Sequence, residues 1–298
     1  MSVALTAGPA KSRPLHATRD YLELSKARIV LMVLITTAAG YLIAARPIDA
    51  LVMLHTLLGT ALVAAGTNAL NQYVEREHDA KMRRTRLRPL PDGRISPRAA
   101  LAFSVLVAIA GTLYLGLLVN WLTAALGAFT LTSYIFVYTP LKRISTACTI
   151  IGAVPGAIPP LMGWTAATNH LALGGWIAFA ILFFWQLPHF MAISWIYRED
   201  YGRAGFAMTS VRDGNGTATA RQAIYYSLAL LAVSVLPTFF GMAGVAYLVG
   251  AILLGAAITA TSVRFFFERS NKTAMKLFMT SNIYLIVMML LLVISARS

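Results

Sequence analysis

The sequence predicts an all-α membrane protein of nine transmembrane helices. Three observations carry that reading. Of the 298 residues, 58% are hydrophobic and only 12% charged, the apolar residues gather in runs long enough to cross a bilayer, and the cations gather between the runs. A mean hydropathy of +0.69 is more apolar surface than a soluble domain of this length could bury. The net charge of +14 does not describe a nucleic-acid binder, because the basic residues are spread between apolar spans instead of clustering on one face. Cys148 is the single cysteine and lies in an apolar run, which excludes a disulfide framework and a cysteine-based metal site.

Crossing the hydrocarbon core takes about 20 apolar residues, and such runs fall near 28–46, 49–74, 98–117, 121–138, 148–166, 174–196, 222–241, 244–263 and 275–296. The first follows a polar, basic arm, residues 1–19, with Lys11, Arg13 and Arg19. Its apolar run starts too late for a signal peptide, so the arm is expected to be mobile and residues 20–298 to form one membrane domain. The second run continues into the charged segment 75–98. The fourth ends in Tyr138-Thr139-Pro140-Leu141-Lys142-Arg143. Gly152, Pro155, Gly156, Pro159, Pro160 and Gly163 crowd the fifth and should break or kink it; irregular backbone at membrane depth survives only where it is buried in protein or lines a cavity, so this helix is expected to border an internal pocket. The sixth leads into a second long connection, 197–221, and the last three runs close the chain.

With a cytoplasmic N-terminus, this alternation puts the arm, the loop from Glu75 to Arg98, Lys142, Arg143, Arg198, Arg203, Arg212, Arg221, Arg264, Arg269, Lys272 and Lys276 inside, and only Arg46 and Arg297 outside. That is the positive-inside bias, and it places nearly all loop chemistry on the cytoplasmic face. Most of these cations set topology and nothing more.

The segment 71–91 departs from that pattern. Asn71, Glu75 and Asp79 recur every fourth residue at the end of the second run, which on a helix turns each side chain about 40° from the last with about 6 Å between steps, so all three line one face. Asn68 joins the same sector, with His78 at its edge, whereas Glu77 points away. Mg²⁺ prefers one or two carboxylates together with phosphate oxygens, and Lys81, Arg83, Arg84, Arg86 and Arg88 follow at once as counter-charge for phosphates. The simplest reading is a Mg²⁺-diphosphate site at a membrane boundary. Asp200, at the end of the sixth run, could complete the coordination from the opposite side. His189 lies eleven residues earlier, about 16 Å deeper on a continuous helix, where it either reaches a ligand in the pocket or makes an interhelical hydrogen bond; a bend at Pro188 would spoil the register between them. Lys142 and Arg143 can meet a diphosphate as a point charge and a fork; Lys26 and Arg28 are weaker candidates. His16, His55 and His170 receive no role.

Taken jointly, Asn71-x₃-Glu75-x₃-Asp79 with Met82-x-Arg84-Thr85-x₂-Arg88-Pro89-Leu90, Tyr138-Thr139-x-Leu141-Lys142-Arg143, Gly156-Ala157-x-Pro159-Pro160 with Gly163-Trp164, and Ser194-x₃-Arg198-Glu199-Asp200-Tyr201-x₂-Ala204-Gly205 resemble the membrane prenyltransferases related to 4-hydroxybenzoate polyprenyltransferase, and within them the haem O synthases. The likeness covers residues 21–296. Relatives usually carry Asp where Glu75 stands and two aspartates four apart in the second motif, where this chain has Ser194 and Arg198; Ala27 replaces a common proline. The resemblance implies a bundle around a central cavity and transfer of a farnesyl group from farnesyl diphosphate to the 2-vinyl group of haem B, with water adding, to give haem O for terminal oxidases. It implies Mg²⁺ on Asn71, Glu75, Asp79 and Asp200; diphosphate on Arg84, Arg88, Lys142 and Arg143; haem contacts from His189 and His78; and supporting substrate contacts from Tyr138, Arg198 and Tyr201. It places the chain in a bacterial inner membrane, N-terminus cytoplasmic and C-terminus outside, with membrane lipid around it and haem A synthase or terminal-oxidase assembly proteins as contacts. Two other readings stay open: a related enzyme acting on a quinone precursor or another tetrapyrrole, and a secondary transporter using the same acids for a coupling ion, although transporters place such sites near the bilayer midplane.

Overall fold

In a computed structural model, which describes residues 14–45 and 47–296, nine helices are long and apolar enough to cross a membrane among the described residues. The chain is a multi-pass membrane protein. Helix α1 (Pro14–Leu24) precedes the first span, α2 (Ala27–Ala44). Then come α3 (Ala50–Asp79), α4 (Pro97–Leu118) and α5 (Trp121–Thr132), α6 (Cys148–Thr168) and α7 (Leu173–Ile196), the short α8 (Arg198–Arg203), α9 (Thr217–Ser234), α10 (Val245–Glu268) and α11 (Asn271–Ser295). The expected boundary at residue 19 falls inside α1, and residues 1–13 of the expected arm lie outside the described part. Arg46 and Arg297, the two expected outer cations, also lie outside it.

Local chemistry sets the ends. Asp49 accepts the Leu51 and Val52 backbone N–H groups at the start of α3. Ser96, followed by Pro97, caps α4, and Asn120 caps α5; each side-chain oxygen satisfies an otherwise orphaned first-turn donor. Helices α6 and α7 are the centre of the bundle, with 67% and 61% of their apolar windows buried against 28–39% for the others. The outward faces of the remaining spans carry large apolar side chains such as Leu106, Leu117 and Ile283, as expected for helices facing lipid.

The fifth span does not break. No interruption divides α6, although Pro155, Pro159 and Pro160 lie inside it, and none of its residues lines either of the two cavities described below. Its small residues serve close helix packing instead: a Cβ on Gly163 would sit 1.9 Å from the Thr37 carbonyl oxygen of α2, so only glycine lets the two backbones meet. The irregular backbone lies one span earlier. Residues Ser133–Tyr138 form a π-helical turn, continued by Thr139–Leu141. Pro140 explains it, since proline lacks an N–H and its ring collides with the carbonyl four residues back. The widened turn lets the Thr139 hydroxyl donate to the Tyr134 carbonyl at 2.8 Å, and a Cβ at Gly152 would strike the Tyr138 ring at 2.4 Å.

Candidate active site

At the charged end of the bundle, the last two turns of α3 bring Asn71, Glu75 and Asp79 onto one buried face, with 1%, 6% and 0% of their surfaces exposed. Each meets a cation from a different segment. Lys26, between α1 and α2, donates to Asn71 Oδ1 at 3.1 Å; Lys142, just past the fourth span, donates to Glu75 Oε1 at 2.7 Å; Arg88, on the loop after α3, donates to Asp79 Oδ2 at 2.8 Å. Asn71 also donates to the Thr139 hydroxyl at 3.2 Å, tying α3 to the π turn. These groups line a cavity of about 90 Å³ together with Met82, Arg84, Tyr134, Tyr138, Tyr201, Phe206 and Met208.

The electrostatics favour an anion. Lys26, Arg84, Arg88 and Lys142 face only two carboxylates in the lining. Burial lowers the Lys26 ammonium to about 7, Arg88 and Lys142 adding repulsion. Burial opposes the charge on Lys142 too, but Glu75 outweighs it and holds that ammonium well above its ordinary value. The Tyr138 ring lies beneath Lys142 with 4.5 Å from Nζ to its centroid, a cation–π contact. An incoming dianionic group would relieve the surplus charge around Lys26.

The donor set also suits a hard cation. Asp79 Oδ1 is buried without a hydrogen-bond partner among the described residues, which is costly unless something positive reaches it. Two carboxylates and an amide oxygen fall short of a protein cage, and among the described residues no group of three His, Cys, Asp or Glu side chains could hold a metal alone. Mg²⁺ does not need such a cage when phosphate oxygens supply the rest, and in this structure Lys26, Lys142 and Arg88 balance the same oxygens.

Of the thirteen side chains expected in the site, eight line the cavity: Asn71, Glu75, Asp79, Arg84, Arg88, Tyr138, Lys142 and Tyr201. The other five lie apart from it. Asp200 is buried, but its carboxylate accepts the Arg83 and Arg84 backbone N–H groups at 3.2 and 3.3 Å and pairs with Arg203, which fastens the loop after α3. Arg143 is exposed. Arg198 donates to the Trp195 carbonyl and Asn271, both at 2.8 Å. His78 Nδ1 lies 2.8 Å from the Ala204 carbonyl. His189 meets Ser281 Oγ at 2.8 Å, stacked on Trp185 at 4.9 Å between ring centroids, which is the interhelical hydrogen bond of the sequence-based alternatives. Asn68 is buried but outside the lining.

Sequence reasoning ranked Lys26 too low and missed Met82, Tyr134, Phe206 and Met208. Tyr134 was findable, because it precedes Tyr138 by four residues in a helical run. Phe206 and Met208 sit in an irregular turn whose direction no periodicity reports. The acids occupy the end of α3 and not its middle, contrary to what a transporter's ion site would show.

Nine spans among the described residues, with paired acids and cations lining a cavity at one end, suit a membrane enzyme that handles an anionic group. The UbiA prenyltransferase family matches residues 33–286, and the chain belongs to it. Among curated proteins, the protoheme IX farnesyltransferase of Solibacter usitatus (strain Ellin6076) is 49% identical over 277 residues, covering 90% of this chain and 95% of the relative. Among solved structures, a digeranylgeranylglyceryl phosphate synthase superposes with a TM-score of 0.78 at 20% identity, covering 93% of this chain and 98% of that one. A UbiA homologue from Archaeoglobus fulgidus bound to GPP and Mg²⁺ gives 0.64 at 14% identity, covering 92% and 99%.

Proposed function

We propose that this chain transfers the farnesyl group of farnesyl diphosphate to the 2-vinyl group of haem B, giving haem O and diphosphate. One observation carries the reaction type: the acids of α3 and cations from three other segments converge on a single buried cavity. The acceptor rests on the likeness to the Solibacter relative. At about 90 Å³, the cavity is far smaller than pockets that enclose whole ligands, so it fits the diphosphate head and leaves the prenyl chain and the acceptor outside it.

Lys26, Arg84, Arg88 and Lys142 take the diphosphate oxygens. Asn71, Glu75 and Asp79 would hold Mg²⁺, which supplies Lewis-acid neutralisation of the leaving group when bound; a metal in this role is in keeping with the UbiA homologue that binds GPP and Mg²⁺. The allylic carbon–oxygen bond breaks with its electron pair leaving on the diphosphate, where fixed cations cost no reorganisation as charge develops. The terminal vinyl carbon bonds to the farnesyl C1, and water adds at the neighbouring carbon with loss of a proton. Tyr134, Tyr138, Phe206 and Met208 wall the cavity and keep water from the allylic centre before the acceptor meets it. Asp200, through the Arg83 and Arg84 amides, and Tyr201, whose hydroxyl is 3.3 Å from Arg84, position the cationic loop; Arg198, His78 and His189 act from outside the cavity on loop and helix packing, and Arg143 stays exposed. We place the charged end at the cytoplasmic face of a bacterial inner membrane, with the C-terminus outside, because the cations are biased to that end; contacts with haem A synthase or oxidase assembly proteins are expected from the product's use.

Purified protein given farnesyl diphosphate, Mg²⁺ and either haem B or 4-hydroxybenzoate should convert only the haem, read by chromatography and mass as a more hydrophobic haem. Prenylated 4-hydroxybenzoate and unchanged haem would overturn the acceptor assignment.

A further inference from the structure

Beside the diphosphate cavity lies a larger one, a groove of about 480 Å³ lined by Arg19, Leu22, Glu23, Lys26, Ala27, Arg28, Ile29, Gln72 and Arg88. Lys26 and Arg88 line both, so the groove begins where the diphosphate site ends. Arg19 and Arg28, the groove cations that do not line the diphosphate cavity, are engaged by no hydrogen bond or ion pair among the described residues. Its one acid, Glu23, is already held by Arg94 at 2.9 Å. Apolar Leu22, Ala27 and Ile29 supply the rest of the wall. The site is therefore flanked by an amphipathic slot with two free guanidinium groups.

The wall is built to stay in place. Gln72 of α3 donates to the Glu23 and Leu24 carbonyls at 3.1 and 2.7 Å, satisfying the bare C-terminal end of α1. Arg94 ties Asp20 and Glu23 of that helix to the Leu87 carbonyl. Lys26 adopts a left-handed backbone, φ 52°, which turns the chain from α1 into α2 beside Asn71.

We infer that this groove holds the porphyrin acceptor, with Arg19 and Arg28 binding its two propionate carboxylates. The inference rests on the reading that haem B is the acceptor. In protohaem the vinyl groups and the propionates occupy opposite halves of the macrocycle, so carboxylates held by arginines that line only the groove leave a vinyl edge free to reach Lys26 and Arg88, which line both cavities and where the farnesyl C1 is presented. Guanidinium forks suit carboxylates in pairs. A prenyl chain would use the apolar wall and have no need of either arginine.

The test combines protein variants with a ligand variant. Haem B and its dimethyl ester, which lacks both carboxylates, are titrated by Soret absorbance into detergent-solubilised wild type, Arg19→Gln, Arg28→Gln and the double variant, and the Michaelis constants for haem and farnesyl diphosphate are measured alongside. Each guanidinium contact at an open groove should be worth about three- to tenfold in affinity. Wild type should bind the diester about tenfold or more weakly than haem, and the double variant should bind both equally with its KM for farnesyl diphosphate unchanged. Equal binding of haem and diester by wild type would overturn the inference without needing any variant. So would a variant that loses affinity for both alike, the mark of a packing or lipid-phosphate role, or a rise in the KM for farnesyl diphosphate alone. Propionate-dependent binding without farnesyl transfer would sink the proposed reaction and leave the groove assignment standing; transfer without discrimination would do the reverse.

Discussion

Breaking the Lys142 to Glu75 pair one side at a time, and then both sides together, should separate what holds the site together from what it does. The two atoms are 2.7 Å apart, where unit charges attract by about 6 kcal/mol at an effective dielectric near 20. Burying the two ions costs several kcal/mol each, so the pair contributes little net stability while either ion left alone is expensive. Lys142→Met should therefore destabilise the protein by about 3–5 kcal/mol, and Glu75→Gln by a similar amount, because each strands its partner. The double variant, Glu75→Gln with Lys142→Met, should recover most of the lost stability. It should not recover turnover: it lacks an anionic ligand for the metal and a cation for the diphosphate, and losing one such preorganised group alone costs about 10²–10³ in kcat. The measurements are thermal unfolding in detergent, followed by the monodisperse fraction, and haem farnesylation by chromatography. A double variant no more stable than either single variant would refute the pairing argument, and an active one would refute the catalytic assignment.

Asp79→Ala should abolish transfer while the protein stays folded in the membrane; the buried Oδ1 that has no partner goes with it, and normal turnover would remove the metal assignment. Asp200→Asn should raise the KM for farnesyl diphosphate several-fold by loosening the Arg83 and Arg84 amides, with the Mg²⁺ concentration for half-maximal activity unchanged; a shifted Mg²⁺ requirement would return Asp200 to the metal. Ser281→Ala removes the partner of His189 and should cost about 1 kcal/mol of stability with no change in the KM for haem, whereas a raised KM would place His189 at the acceptor. Gly163→Ala should destabilise by at least about 1–3 kcal/mol through the clash with Thr37, while Gly202→Ala, whose nearest contact would be an ordinary 3.8 Å, should leave the melting curve where it is.

The spans and the Asn71, Glu75, Asp79 face were legible because each depends on a local rule. Hydropathy over about 20 residues reports burial in lipid regardless of what packs against the helix, and a four-residue spacing reports a shared face regardless of what it faces. What faces it is a non-local matter. Nothing along the chain says that Lys26 should reach Asn71 across 45 residues or Lys142 reach Glu75 across 67, and for that reason a lysine beside α2 ranked below Arg143, which the fold leaves in solvent. Asp200 and His189 misled in the same way. Polar groups within or beside a span are functional by default, yet here a buried carboxylate satisfies loop amides and a buried imidazole bridges two helices, and sequence does not separate these uses from catalysis. The prolines of the fifth span show the limit from the backbone side. Three prolines with small neighbours promise a break, but small residues also let helices pack closely, and α6 takes the second course. Pro140, with no glycine near it, does reshape a helix, and the widened turn before it brings the Thr139 hydroxyl to Asn71. Proline marks a position where the helical hydrogen-bond ladder must change; neighbouring helices decide whether that change builds a site or is absorbed.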